Sequence, residues 1–513
     1  MKLTTLSSLA VLGLLALLTG APAAQVNYNG NIPWSFTANS GPDGPVPGWW
    51  YNLGITGMRV ELIANRPKHL LVQYVFPGSP AAGIVQVGDV LTGAGGQAFV
   101  EDHQNGYGVD VFGARGPIGE FAVALEAAQD PTGDGELAVT IDRGGSTLNV
   151  DVPVGTTYGQ FSATYPRDCP KSAMILDELL DYLVATQSPN GSWGSPPQDT
   201  FAPLALLASD DPAHRAAAEA SVQFHASTTI GTLEGADGLV NWRYMAAGIV
   251  LCEYYLLTQD EAILPEIQEV HDFIAESQYR DMSQVSPRVQ FSHPGSVPTT
   301  PEDQHGGWGH NPGFEGYGPI AMTTGQGALV YALMKRCGIA VRRQRHDEAY
   351  AYLRRGTGTN GYLWYADEVA DDNSWADLGR TGASSMASFL APYPDTQYLR
   401  DANRHAVAIG EFARSFPDTH GSPPMGMAYA AAAASFSPPN FRRLMDTNRY
   451  WFALSHCFDG SYYYQPNRDN AGYGSDSRII ASAVTAFIFS IPERNLVVTG
   501  RGFAHKASPR SLK

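Results

Sequence analysis

The sequence predicts a multidomain protein in which a small β-rich module precedes an all-α (α/α)6 toroid. Three observations lead there. Residues 49–154 are short β-branched segments broken by glycine and proline. From residue 172 nearly to the end, helical periodicity takes over. Within that stretch, helices with one apolar face alternate strictly with helices that are apolar almost all round. A chain of 513 residues also exceeds one ordinary core, and 54 glycines with 35 prolines point to many loops.

The first 24 residues, MKLTTLSSLAVLGLLALLTGAPAA, carry Lys2, an apolar run over 9–18 and small residues at Ala21 and Ala23. That is the pattern of a secretory signal cut near Ala23 or Ala24. The run is shorter than the roughly 20 residues that span a bilayer. No stable membrane insertion is expected after cleavage, and the mature protein is expected to be secreted or periplasmic. Residues 25–48 read as a linker.

Fifty acidic against 33 basic residues give a net charge of −17 with no basic block. This excludes nucleic acid as a partner. The four cysteines are too scattered for a disulfide framework or a CxxC metal site. Cys252 and Cys337 lie in apolar helical stretches and read as buried free thiols. Cys169 and Cys457 lie in loops, where a bridge could form in an oxidising compartment.

In the module, MRVELIA, HLLVQYVF, DVLTGAG, ELAVTIDR and STLNVDVPV read as strands and 118–129 as a helix. Pro77-Gly78-Ser79-Pro80-Ala81-Ala82, Val87-Gly88-Asp89-Val90-Leu91 and Gly95-Gly96-Gln97 resemble the core of a PDZ domain. Ala94-Gly95-Gly96 replaces that family's Asn-Gly, and both suit a turn with positive φ. The resemblance implies a groove between the second strand and the helix, where an extended or C-terminal peptide adds to the sheet edge. The residues matching its carboxylate-binding loop are Leu53, Gly54, Ile55, Thr56 and Gly57. The alternative is a groove filled by the protein's own chain.

Residues 155–171 form a second linker, 172–494 the toroid and 495–513 a tail. The one-faced helices fall at 172–187, 212–226, 260–276, 344–354, 395–414 and 438–454; the all-round apolar ones at 198–209, 242–257, 320–337, 380–391, 424–435 and 478–491. Helices covered on both sides belong in an inner ring and one-faced helices outside it. Asp211 before Pro212, and Pro438 with Pro439, mark helix starts. After the first outer helix, Gln187, Gly191 and Trp193 resemble the Gln…Gly-x-Trp turn of terpenoid cyclase and prenyltransferase toroids. Echoes occur at Gly306-Gly307-Trp308, Gly361-Tyr362 and Asp459-Gly460-Ser461-Tyr462. The whole arrangement resembles the DUF6288-like exported bacterial proteins that join a PDZ domain to such a toroid; this implies the fold and no activity.

The outer-to-inner connections are long and share one rim, so a ligand site belongs at that mouth. The third contains DQHGGWGHNPGFEGYGP, residues 303–319. Cyclase chemistry lacks its DxDD or DDxxD motif: Asp210-Asp211 is a helix cap, and Asp371-Asp372 has no third acid at the right spacing. Protein prenylation lacks its Asp-x-Cys zinc pair, with Cys457-Phe458-Asp459 reversed. No thioester Cys-Gly-Glu-Gln run, HExxH or recognised nucleophile motif occurs. Glycan chemistry survives, by two carboxylates flanking an aromatic cleft or by a His or Tyr base with a cation. The candidate catalytic residues are Glu315, His310, Asp459 and Tyr463; Trp308, Tyr317, Arg380, Arg468 and Arg478 are candidate ligand-binding residues. An aspartate before glycine, as in Asp459-Gly460, is more often a turn former than an acid. His305 and His310, with Asp303 or Glu315, match no standard metal site, and no cofactor or metal is expected. The expectation is a glycan-acting toroid of hydrolase or lyase type. The alternative is a non-catalytic binding or scaffold protein in the periplasm or at the cell surface. Convergence of the third and sixth rim loops separates the two.

Overall fold

The computed structural model describes residues 50–63, 65–103, 116–229, 238–369, 377–393, 396–417, 423–465 and 478–502. Its N-terminal region is an antiparallel sheet. The strands are β1 (Trp50–Asn52), β2 (Met58–Leu62), β3 (Leu70–Val75), β4 (Val90–Ala94) and β5 (Gln97–Ala98), then, after helix α1 (Pro117–Ala128), β6 (Glu136–Arg143) and β7 (Ser146–Pro153). They are ordered β1-β2-β3-β4-β6-β7, with β5 folded back on β4. Alternation along β6 turns Leu137, Val139 and Ile141 inward, into a core shared with Phe121 and Leu125 of α1.

One pairing bears on function. β2 is flanked on one side by β3 and on the other by β1, with Tyr51 opposite Val60. The turn joining β1 to β2 closes on itself: Leu53 N donates to Met58 O at 3.0 Å and Gly57 N to Gly54 O at 3.1 Å. Both edges of β2 are therefore already paired by this chain.

The rest is helical. Outer and inner helices alternate as α2 (Pro170–Thr186) and α3 (Pro196–Leu207), α4 (Pro212–Thr228) and α5 (Val240–Thr258), then α6 (Leu264–Ser277), a short α7 (Val289–Ser292) and α8 (Ala321–Arg336). They continue as α9 (Arg343–Arg355) and α10 (Leu378–Phe389), α11 (Thr396–Glu411) and α12 (Pro423–Ser435), and finally α13 (Pro438–Thr447), α14 (Arg449–Ser455) and α15 (Arg478–Ser490). The last outer helix, expected as one piece, breaks at Asn448. There the side-chain amide donates to Ala413 O and Leu444 O, both at 2.8 Å.

The inner helices close a ring, α3 to α5 to α8 to α10 to α12 to α15 and back to α3. Small residues make that possible: a Cβ on Gly382 of α10 would lie 2.6 Å from the Ala430 nitrogen of α12. Around the ring axis, Phe201, Ile249, Leu329, Tyr429, Phe487 and Val498 enclose about 10 Å³, barely the space of one water. At this level the toroid is a packed core. Val498 reaches it because Glu253, buried on α5, accepts the amides of Val497 at 2.9 Å and Val498 at 2.7 Å. Burial pushes the Glu253 carboxyl up to about 7.

The rim turns repeat a common staple. Gln187 Nε2 donates to Gly191 O and to Ala217 O of the next outer helix, while Trp193 Nε1 donates to Leu183 O. Gln278 does the same with Gly306 O and Arg345 O, and Trp308 with Ile274 O. A first-turn side chain of the inner helix then accepts the following amide: Asp199 from Trp193, Thr324 from Trp308, Thr381 from Leu363 and Ser482 from Tyr462. The glycines are required, since a Cβ on Gly191 or Gly306 would lie 2.2 or 2.4 Å from the carbonyl oxygen of Ala220 or Glu348.

Candidate functional site

Most of the expected site residues belong to that staple or to the contact between module and toroid. Trp308 is fully buried, its ring packed edge-on against Tyr331, so it does not line the mouth. Asp459 accepts from Ser461 N at 3.2 Å, as Asn190 does from Ser192 N and Asn360 from Tyr362 N. It is the turn former of the sixth rim loop, and its other oxygen is bonded to Arg478, so those two residues are spent on each other. Tyr463 is buried, with the Arg59 guanidinium of β2 3.8 Å from its ring centroid. Arg468 lies outside the described residues.

The module's loop is occupied in the same way. Asn52 N donates to Gln465 Oε1 at 2.9 Å, Gln465 Nε2 to Asn52 O at 2.8 Å, and Asn52 Nδ2 to Tyr463 O at 3.1 Å. Gln465 thereby pairs with β1 as a neighbouring strand residue would. Leu53, Gly54, Ile55, Thr56 and Gly57 are all buried, and a Cβ on Gly54 would lie 2.8 Å from Ala453 O of α14. The Gly54–Thr56 turn packs against α14, and Gly57 lies beside Phe458, where an open peptide groove was expected. Lys171 adds a bond to Glu126 of α1, and Arg449 donates to Phe161 O and Ser162 O of the linker.

The third rim loop differs. His310 Nδ1 accepts from Trp242 Nε1 at 2.8 Å, and its Nε2 lies 2.5 Å from the Tyr317 hydroxyl, which is 2.7 Å from that of Tyr365. All four side chains are half-buried. An indole N–H can only donate, so Nδ1 carries a lone pair and the imidazole proton sits on Nε2, facing Tyr317. Tyr317 then accepts from His310 and keeps its own hydroxyl hydrogen for Tyr365 or a ligand. Burial lowers the His310 pKa, and a second proton would point at the indole N–H; both hold the ring neutral.

The network draws on three segments. Trp242 opens α5 and stacks on His310 at 5.8 Å between centroids; Tyr365 comes from the fourth rim loop. Behind Tyr365, Arg380 is buried with its guanidinium 5.4 Å from the ring and 3.7 Å from Asp377. Glu315 is turned to Arg288 at 3.7 Å, a different partner from those of His310. Of the residues expected from the sequence, the structure brings His310 and Tyr317 together; Trp242, which joins them, was not among the expected residues. The available signal was an aromatic at the start of an inner helix, on the decorated rim.

Asp303 is taken up by four hydrogen bonds from Thr299 and Thr300, which hold its pKa down to about 2. Among the described residues no group of three or more His, Cys, Asp or Glu is arranged to hold a metal ion. The four cysteines are buried free thiols, Cys169 and Cys457 included. Among the described residues no helix is long and apolar enough to cross a membrane.

No curated protein matches this sequence. Among solved structures, the chain is similar to an inactive variant of the α-1,6-mannanase GH76A of Salegentibacter sp. HEL1_6 in complex with α-1,6-mannotriose, at 10% identity over 62% of this chain and 97% of that one, TM-score 0.44. It is similar to a GH76 α-mannanase of Bacteroides thetaiotaomicron at 12% identity over 62% and 94%, TM-score 0.41. It is also similar to the cellobiose 2-epimerase of Bacillus thermoamylovorans B4167 at 11% identity over 62% and 98%, TM-score 0.40. The family model described as a domain of unknown function, DUF6288, matches residues 172–500, more than half of the sequence and the whole helical ring, and the chain belongs to that family.

Proposed function

We propose that the toroid is a glycan-recognising domain and that the cluster of Trp242, His310, Tyr317 and Tyr365 is its binding site, on a protein exported by its N-terminal segment. The cluster is the observation that carries this reading: apolar ring faces lie beside hydroxyl and imidazole edges at the rim, half open to solvent. A sugar ring matches both, offering C–H faces to stack and hydroxyls to hydrogen-bond. Hydrolysis by paired carboxylates has little support, because Glu315 and Asp459 each face an arginine in separate loops. The chemistry favoured at the cluster is proton transfer by Tyr317, of the kind a glycan lyase uses, with neutral His310 orienting its hydroxyl.

The test is a panel of neutral mannans and glucans and of uronate polymers. Binding is read by calorimetry, and turnover by reducing-end release and by ultraviolet absorbance of unsaturated products. A glycan should bind, Tyr317→Phe should weaken binding or turnover at least about tenfold, equivalent to ~1.4 kcal/mol, and Glu315→Gln should leave both nearly unchanged. Loss in Glu315→Gln with none in Tyr317→Phe would sink the assignment, as would an entirely silent panel.

We infer further that the N-terminal module, PDZ-like in its PGSPAA and VGDVL segments, clamps the sixth rim loop in place of receiving a peptide. Support comes from the pairing of both β2 edges and from the Gln465 and Tyr463 contacts to Asn52. Gln465→Ala should speed proteolysis within residues 456–465 several-fold. Capture of C-terminal peptides by the intact wild-type chain through Gly54 and Gly57 would overturn this reading.

A further inference from the structure

Away from the rim, at the junction of linker, α13 and the segment after α15, a groove of about 270 Å³ is lined by Arg167, Arg442, Arg494, Thr164, Phe441 and Ile491. Its position is unexpected in a chain of net charge −17. Arg442 is committed within the fold, to Tyr165 O and, at 2.7 Å, to Asp446. Arg167 is exposed and Arg494 half-exposed, and among the described residues neither makes an ion pair. The acids closest in sequence, Asp168 and Glu493, line the neighbouring depression instead. Arg494, which lines the groove, holds left-handed backbone at φ 54°. Such a conformation persists where the surroundings fix it. Arg167 on the linker and Arg494 after α15 line one groove together with the apolar side chains of Phe441 and Ile491.

We infer that this groove binds a small organic carboxylate with an apolar body, its head group between Arg167 and Arg494 and its body against Phe441 and Ile491. Guanidinium groups match a carboxylate in a two-pronged geometry. The volume, slightly below the roughly 300–1,000 Å³ of drug-sized ligand pockets, suits an aromatic or medium-chain acid. The site is distinct from the rim cluster and does not depend on the glycan reading.

The experiment titrates the full chain with 1-naphthoate and, separately, with its neutral isostere 1-naphthamide, followed by ligand fluorescence and calorimetry. Naphthoate should bind one to one, at least tenfold tighter than the amide. Arg167→Ala, at an exposed position that folding tolerates, should weaken it about threefold, and Arg167→Ala with Arg494→Ala at least tenfold, with the circular dichroism of each variant unchanged. Tyr317→Phe should have no effect on it. Absence of naphthoate binding at millimolar concentration, equal binding of the amide, or undiminished binding by the folded double variant would each overturn the proposal.

Discussion

In the third rim loop the staple turn Gly306-Gly307-Trp308 is followed by His310 and Tyr317, whose polar atoms meet each other, Trp242 and Tyr365. In the sixth, the turn at Asp459-Gly460-Ser461-Tyr462 is followed by Tyr463 and Gln465, whose partners are Arg59 and Asn52 of the N-terminal module. The two loops share a turn and a composition of acids and aromatics. They differ in what lies opposite. The sixth faces the module and its polar groups become interface; the third faces the mouth between α5, α8 and α10, and its polar groups stay half open. Residue type alone therefore does not distinguish a site from a joint; the neighbour does.

Substitutions at the two turns test that contrast most strongly. Gly306 has φ 91° and its missing Cβ points at a backbone oxygen, so Gly306→Ala should cost roughly 3 kcal/mol, from left-handed strain plus overpacking. Gly460 has φ 80°, but its nearest neighbour is the Glu178 side chain at 3.3 Å, with no backbone atom in the way. Gly460→Ala should cost about 1–2 kcal/mol. Denaturant midpoints measure both, and equal losses would argue against a rigid staple in the third loop. Next in size, Tyr317→Phe should lower glycan affinity about tenfold while costing stability less than ~1.5 kcal/mol, the worth of a hydrogen bond. Asp459→Asn should do the reverse: it keeps the turn found at Asn190 and Asn360, loses about 1–3 kcal/mol with the Arg478 bond, and leaves binding untouched.

The smallest effects are in the pH dependence of stability, where two buried groups act with opposite sign. His310 titrates below its ordinary value in the folded chain, so as pH falls the unfolded chain takes the proton first. Its contribution is present above about pH 6.5 and is lost as pH falls toward the folded pKa. Glu253 titrates at about 7 when folded, above its unfolded value of 4.5. Its contribution is present below about pH 4.5 and is lost as pH rises toward 7. The stability difference between wild type and His310→Gln should shrink on acidification from pH 7 to 5, and that between wild type and Glu253→Gln should grow in favour of wild type over the same interval. Thermal melts across that range check both slopes.

The alternation of inner and outer helices was legible because burial on both sides leaves no polar face to disguise, as in the alanine run of α12. The Gly-x-Trp turns were legible because their backbone geometry admits so few residues. The site was half legible. His310 and Glu315 stood out because no architectural need explained them; His310 meets Tyr317 while Glu315 turns to Arg288, and Tyr365 joins from 48 residues beyond Tyr317. An acid and an aromatic look alike in sequence whether they face a ligand, an arginine or another domain; in the structure Asp459 faces Arg478 and Tyr463 faces Arg59 of the module. The module's loop carries the same ambiguity: its glycines suit peptide amides and suit equally the close approach of α14.

One detail of the staple has an evolutionary consequence. In the first turn Gln187 and Gly191 are nearly adjacent, while in the third the corresponding Gln278 and Gly306 are separated by the whole lobe that carries α7. The ends of that lobe are tied together, Tyr279 N to Gly307 O at 2.9 Å and Gly306 N to Tyr279 O at 2.7 Å, and it has a small core of its own in Tyr279, Val289 and Phe314. A segment fastened at its base and packed within itself behaves as a cassette. Relatives could lengthen, trim or exchange it, and so change what the mouth recognises, while the barrel beneath inherits none of the disturbance.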